Sequence, residues 1–480
     1  MNWSAPSLWR IEASPSNPLP QGCALDSLLV LGAVTVLLTG CASVDPNAAF
    51  QSVRDEVSTQ TGMHVVWNQG TPDDQKAELA VRRILAKPLS ADSAVQVALL
   101  NNPDLQASFE EIGLSQADLV QAGLLHNPTL MASWRFPDRP PGVTDAEYSL
   151  AADFLDLVMI PMKVKVAQAN LEQAELRVDH EVLGLVTQVK TAFYMFQADV
   201  QLEARLDLVV QADQAAVDLA KAQQQAGNTT DLDSANRQAQ FALAHVYLAN
   251  AQREKFGARE KLNRLMGLWG SDVDWKAGPD LPELPEHEVP LDHLESLAIS
   301  QRRDLAAMKR EVDAIGMALS LKTNTRFAPT TIDIGVDTEK QSDGQRITGP
   351  TLNLTLPIFD QGQGEIAKLT AQYRRAERQL QSRAIQIRSE VREARETLKM
   401  NRDLAEYYKK TVVPLNIQIV NQSQLQFNAM QKNTFDLFLS KQRELEAEKD
   451  YIGAWRDYWI ARAELEQAVG GSLGTSRRQP

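Results

Sequence analysis

The sequence predicts a mixed α and β protein, mostly long α-helical coiled-coil hairpins with a small β contribution, built from one unit used twice. Three observations carry this. Val178, Val182, Leu185, Val189, Ala192 and Phe196 recur at steps of 4-3-4-3-4, and Leu380, Ala384, Ile387, Val391, Ala394 and Leu398 repeat those steps 202 residues later. An apolar period of about 3.5 residues is a coiled-coil seam, and two seams in matching register indicate duplication. Short stretches with period-two alternation lie ahead of each seam. The flanking landmarks also recur in order: Asp104-Leu105 with Asp304-Leu305, 200 apart, Pro128 with Pro329, 201 apart, and, less closely, Pro161 with Pro357.

The chain is expected to run as follows. Leu28 to Thr39 is a run of twelve mostly apolar residues, too short to span a bilayer as a helix but suited to a signal segment. It leads into Leu38-Thr39-Gly40-Cys41, which looks like a lipobox, so residues 1–40 read as a lipoprotein signal peptide and Cys41 as the acylated residue. The other reading is a buried free cysteine. Arg10 is the sole basic residue ahead of the run, where a signal is ordinarily positive, which leaves the translation start open. Residues 41–88 form a lipid-anchored N-terminal segment, and the first unit spans 89–270. Ser90 caps its first helix, strands follow at about 129–136 and 147–157, and a helical hairpin covers about 163–268. Residues 271–290, acidic and proline-rich, read as a linker. The second unit spans 291–470, with an Asp292/Glu295 capping box, strands at about 330–338 and 350–357 and a hairpin over about 363–468. Residues 471–480 read as a flexible tail.

At about 1.5 Å per residue the outgoing helices reach roughly 90 Å, beyond any globular core. In the strands, Ile332, Ile334 and Val336 alternate with Asp333, Gly335 and Asp337, and Leu352, Leu354 and Leu356 alternate with Asn353 and Thr355. Such a strand has one apolar and one polar face. The apolar face meets a core in a soluble sheet, or lipid in a transmembrane barrel whose polar face lines water. Trp134, Phe136 and Tyr148 suit either an interfacial aromatic belt or an ordinary core.

Composition excludes several classes. A net charge of −13 and a pI near 5.1 argue against a nucleic-acid partner. Two cysteines, Cys23 and Cys41, exclude a disulfide framework. No HExxH, GxSxG or Walker pattern occurs, and His180-Glu181 is followed at the second ligand position by Gly184. Gly362-Gln363-Gly364 has no third glycine at phosphate-binding spacing. The sequence therefore supports neither an enzyme nor a cofactor. His287 and His293 lie among Glu283, Glu286, Glu288 and Asp292; a solvated linker explains them better than a metal site, and no metal is expected.

Four strands cannot close a barrel, for which about eight is the minimum, whereas three chains would supply twelve. With two helical hairpins per chain, this resembles the TolC-like outer-membrane efflux proteins, including their lipid-anchored members. The matching strings are ALLNNPDL, LPIFDQGQGEIAKLTAQYRRAE, AGNTTDLDSANRQAQ and YIGAWRDYWIARAELEQAVGG, in a resemblance running from Leu89 to Gly471. It implies a homotrimer with a 12-stranded barrel in bacterial outer-membrane lipid and a periplasmic α-helical tunnel, served by a periplasmic membrane-fusion adaptor and an inner-membrane pump. Metal ions or drugs would be the cargo. The competing reading is a non-spanning coiled-coil envelope lipoprotein acting as adaptor or scaffold.

The candidate gate and adaptor-contact residues are Gly227, Asp231 and Asp233 at the first tip and Lys432, Asn433 and Asp436 at the second. By resemblance, tip carboxylates ring the closed end of the tunnel. By their position they equally suit caps for the returning helices. Family tips usually carry Gly in both units, and here Asn433 is expected to supply the left-handed turn of the second.

Overall fold

The computed structural model describes residues 47–473, apart from residues 137, 140–142, 279 and 289. The expected signal segment, Cys41 and residues 474–480 of the tail lie outside the described residues.

Two helices open the chain, α1 (Asn47–Thr61) and α2 (Pro72–Leu85). The first half continues with α3 (Ala91–Asn101), α4 (Pro103–Gly123), β1 (Thr129–Arg135), β2 (Asp145–Asp153), α5 (Leu155–Gln225) and α6 (Asp231–Leu265). The second runs through α7 (Leu294–Gln301), α8 (Arg303–Asn324), β3 (Ile332–Lys340), β4 (Arg346–Leu354), α9 (Gln363–Tyr407), a π-helical turn (Tyr408–Val412), α10 (Val413–Asn428) and α11 (Thr434–Val469). Both halves use one order: two helices, two strands and a long helical hairpin.

The four strands form one antiparallel sheet in the order β1-β2-β3-β4, so the halves meet through β2 and β3. The seams are buried as their spacing requires: Val178, Val182, Val189 and Phe196 in one cluster, Ile387, Val391 and Leu398 in the other. Phe50, Trp67 and Phe109 close the first cluster from the N-terminal side, and fully buried Tyr458 anchors the second.

Several boundaries differ from the sequence reading. The second strand stops at Asp153, not near residue 157, and Pro161 lies inside α5 instead of closing a strand. Asp153 Oδ1 accepts the Leu155 amide at 2.8 Å, and Leu155, Leu157 and Met159, not branched at Cβ, favour helix. The fourth strand is Arg346–Leu354, shifted toward the N-terminus of the expected range. The Asp292/Glu295 capping box does not form. His293 takes the N-cap position in a left-handed conformation (φ 58°), while Glu295 is drawn to Arg392 at 2.8 Å.

The proline-rich stretch after α6 is a strap rather than a free linker. The Pro282 carbonyl accepts both Trp455 Nε1 and Trp459 Nε1, each at 2.8 Å. Glu288 binds Tyr458 Oη (2.7 Å), Arg402 and Arg462 (both 3.2 Å), so its carboxylate is committed to structure and not to a metal. Among the described residues no group of three or more His, Cys, Asp or Glu could hold a metal ion. Burial and the Glu288 carboxylate push the Tyr458 phenol up to about 12.

Candidate functional site

The sheet is the first functional element. In antiparallel pairs, opposed residues share a face. Leu130 opposes Leu150, Leu150 opposes Val336, and Ile334 opposes Leu352, which collects these side chains on one side. That side is uncovered: Leu130, Leu150, Ile334, Val336, Leu352 and Leu354 are exposed by 43% to 72%. Trp134 and Tyr148 lie on the same face, with Trp134 Nε1 donating to Tyr148 Oη at 3.1 Å and the rings edge-on at 5.8 Å. They are therefore not core aromatics of this chain. Among the described residues no helix is long and apolar enough to cross a membrane, which says nothing of a barrel.

The opposite face is acidic. Asp153 opposes Asp333 and Glu147 opposes Glu339, two like-charged cross-strand pairs that repel. Arg135 offsets part of this through Glu147 at 2.8 Å and Asp145 at 3.4 Å. A repulsive pair survives most cheaply where water screens it, so this face suits contact with water.

The hairpin tips are the second element, and they superpose residue for residue at a spacing of 203. Thr230 caps α6 by accepting the Asp233 amide (3.1 Å), and Asn433 caps α11 by accepting the Asp436 amide (2.8 Å). On the outgoing side, Gly227 N donates to Gln224 O and Asn228 N to Gln223 O; Met430 N donates to Phe427 O and Gln431 N to Gln426 O. This is the same helix-ending motif twice. It corrects the expectation for Asn433, whose φ of −84° is extended. Met430 stands where Gly227 stands, at φ 60° against 70°, with its side chain 95% exposed.

The tip carboxylates have local roles. Asp233 accepts the Thr230 hydroxyl (2.7 Å), Asp231 accepts Gln224 Nε2 (2.7 Å), and both lie in the first turn of α6, where the helix dipole favours them. Asp436 holds the matching place in α11. Lys432 Nζ donates to Ser423 Oγ (3.2 Å), which lies 2.9 Å from Ser440 Oγ and ties the second tip across its two helices.

Sequence reasoning missed the joints at the far ends of the hairpins. Asn102 is buried, caps α4 at Leu105 N, and donates Nδ2 to Leu265 O at 2.8 Å, while Asn101 Nδ2 reaches Met266 O and Gly267 O. Gly267 (φ 65°) is required there: a Cβ would come within 2.4 Å of Asn101 O. In the second half Arg302 occupies this joint, only 5% exposed, binding Asp304 through two hydrogen bonds (2.9 and 2.8 Å), Glu390 (2.6 Å) and Ala468 O (3.3 Å). Arg383 completes the cluster on Asp304 (2.7 Å) and Glu390 (2.9 Å). Burial alone would raise Asp304, but the two guanidiniums outweigh it and hold the carboxyl down to about 2. The sequence signal was the pairing of NNPDL with RRDLAA.

Long coiled-coil hairpins joined to a small sheet with one bare apolar face form a fold that solved outer membrane channels share. Solved structures agree: the Campylobacter jejuni CmeC outer membrane channel is similar at a TM-score of 0.69 and 16% identity, covering 80% of this chain and 87% of that one. CusC is similar at 0.68 and 13%, covering 80% and 92%. Residues 94–268 match the outer membrane efflux protein family. The cobalt-zinc-cadmium resistance protein CzcC of Cupriavidus metallidurans is 23% identical over 248 residues, 51% of this chain. That alignment spans 58% of the length of CzcC.

Proposed function

We propose that the chain is one third of an outer-membrane exit duct: a homotrimer that closes a 12-stranded barrel from three four-stranded sheets and continues as a helical tunnel into the periplasm. The observation that carries this is the bare apolar face of an open sheet. Its β1 and β4 edges leave backbone groups unpaired, and lipid tolerates neither such edges nor a polar outer wall. Further copies of the same sheet satisfy both demands. The order of elements shared by the halves, and the matching tips, support an origin by duplication. The channels the fold resembles support an outer-membrane location, and Cys41 would anchor the chain there by its acyl groups.

Adaptor and pump would engage the tips around Gly227, Asp233, Lys432 and Asp436, and the energy for export would come from the pump, since the sequence carries no Walker pattern. The name of CzcC favours divalent metal ions as cargo over drugs. Deletion of the gene should sensitise cells to cobalt, zinc and cadmium; sensitivity to dyes and detergents alone would assign the duct to a drug pump.

The duct itself is tested at the sheet. Ile334→Arg or Leu352→Arg should destabilise a detergent-extracted trimer by about 2–4 kcal/mol, the cost of a cation facing mid-bilayer lipid. Asp333→Asn and Thr351→Lys, on the wet face, should leave the trimer intact. Equal damage from both faces, or a wild-type protein that is a detergent-free monomer, would instead establish a coiled-coil scaffold.

A further inference from the structure

Asp179 of α5 is 5% exposed, and its Oδ1 has no hydrogen-bond partner among the described residues. One turn earlier, half-buried Glu175 is hydrogen-bonded to Ser52 of α1. Both lie along the stripe of α5 that carries Leu171, Val178 and Val182, and Phe50, Val53 and Val57 of α1 join that same buried cluster. Glu175 therefore sits at the seat of the N-terminal helix, with Asp179 buried one turn further along α5.

Among the described residues no cation is positioned to neutralise them. Glu172, on the same helix, is paired with Arg310 of α8 at 3.1 Å, and Arg303 of α8 is paired with Glu56 of α1. Arg54 and Asp55 of α1 are exposed. His180 lies toward Asp304, Arg302 and Arg383. From α4, Glu110 accepts Trp67 Nε1 at 2.9 Å, and Asp92 of α3 acts further along, at Tyr194. The Lys190–Glu466 pair with α11 (2.8 Å) is likewise more distant along α5.

We propose that α1, the helix that follows the expected acylation site, is a pH-dependent latch, seated when the Glu175–Asp179 pair is protonated and loosened when both groups ionise. A buried carboxylate with no counter-charge is costly, whereas a protonated one can donate to its neighbour. Burial, and then Glu175, push Asp179 up to about 7. An unseated Asp titrates near 3.9. Because the seated value is the higher one, seating is unopposed below about pH 4, weakens as pH rises to about 7, and is weakest above that, by at most about tenfold per pH unit for one proton. Acidification of the surrounding compartment thus tightens the link between the anchor and the body.

The experiment is hydrogen exchange on the full-length protein in detergent, expressed as protection factors, at about pH 5 and about pH 8. Protection of residues 47–61 should fall at least about tenfold at the higher pH, while that of residues 434–469 stays constant. Asp179→Asn should shrink the pH dependence to the smaller part left by Glu175. Glu175→Gln, which keeps Asp179 but removes its neighbouring charge, should move the midpoint to lower pH. Constant protection of residues 47–61, a fall shared by residues 434–469, or a fall undiminished in Asp179→Asn would overturn the latch; an Asp179→Asn chain that does not fold leaves Glu175→Gln to decide, and an unmoved midpoint there overturns it equally.

Discussion

The two hairpins are built to one plan and differ in stiffness. The outgoing arm of the first is a single helix of 71 residues. The outgoing arm of the second is broken into 45 residues, a 5-residue π turn and a further 16. Pro414 explains the break: lacking an N–H, it cannot donate four residues back, and the wide turn just before it absorbs the mismatch. Pro161 does less harm in α5 because it falls near the helix start, by the sheet. Beside the π turn, Val413 joins Leu208, Tyr451 and Trp455 in lining an open cleft of 460 Å³, so packing there is loose as well. The second hairpin has a break in its helical hydrogen bonding in mid-arm that the first lacks. Its base is held by the Arg302 cluster and by the strap at Glu288, where the matching joint of the first half uses neutral asparagines and Arg259 donates to the Val273 and Trp275 carbonyls.

The largest expected effect breaks that contrast at the base. Arg302→Ala leaves Asp304 and Glu390 without their buried partner and should cost about 3–5 kcal/mol. Asn102→Ala, at the matching joint, should cost about 1–3 kcal/mol. Denaturant unfolding monitored separately on α9 and α6 would measure both, and equal losses would show that the charged joint is not the stronger one.

Acid should separate the halves next. Asp304 is held at about 2, below its unfolded value, so its contribution is present above about pH 4 and is lost as pH falls through 2. The loss is on the order of 2 kcal/mol. Protection in α8 and α9 should decline over this window, and the Asp304→Asn variant should show no such decline.

At the tips the halves differ by one side chain. Met430 carries left-handed strain that Gly227 does not, so Met430→Gly should stabilise the second tip by about 1 kcal/mol, while Gly227→Ala should destabilise the first by about as much. Thermal unfolding of the two single variants reads both signs. The smallest effects should be symmetric: Thr230→Ala and Asn433→Ala each remove one cap, worth about 1 kcal/mol. A clear inequality between these two would mean that one tip has a role beyond ending its helix.

What could be read from the sequence was whatever depends on period. The seams at Val178–Phe196 and Leu380–Leu398 and the alternation at Ile332–Val336 announce which side is buried, because burial imposes the spacing. What could not be read was set by contacts across long separations. Arg302 meets Ala468 O over 166 residues, and Trp455 meets Pro282 O over 173. Local chemistry also misled where two residues competed for one role. Asn433 has the side chain for a left-handed turn, but it was needed as a cap three residues later, and the turn fell to Met430. The strand that should have continued to residue 157 ended at Asp153 because its carboxylate is a ready-made helix cap.

A rod magnifies whatever happens at its fixed end. At about 1.5 Å per residue, α5 is about 106 Å long. A tilt of about 5° at the sheet would sweep its far end through about 9 Å, close to the spacing of two packed helices. An unbroken arm of this kind turns adjustments at the sheet too small to disturb packing there into displacements as wide as a helix at Gly227. The π turn at Tyr408–Val412 places a joint partway along the neighbouring arm, so the second hairpin can damp the same motion instead of carrying it to the tip.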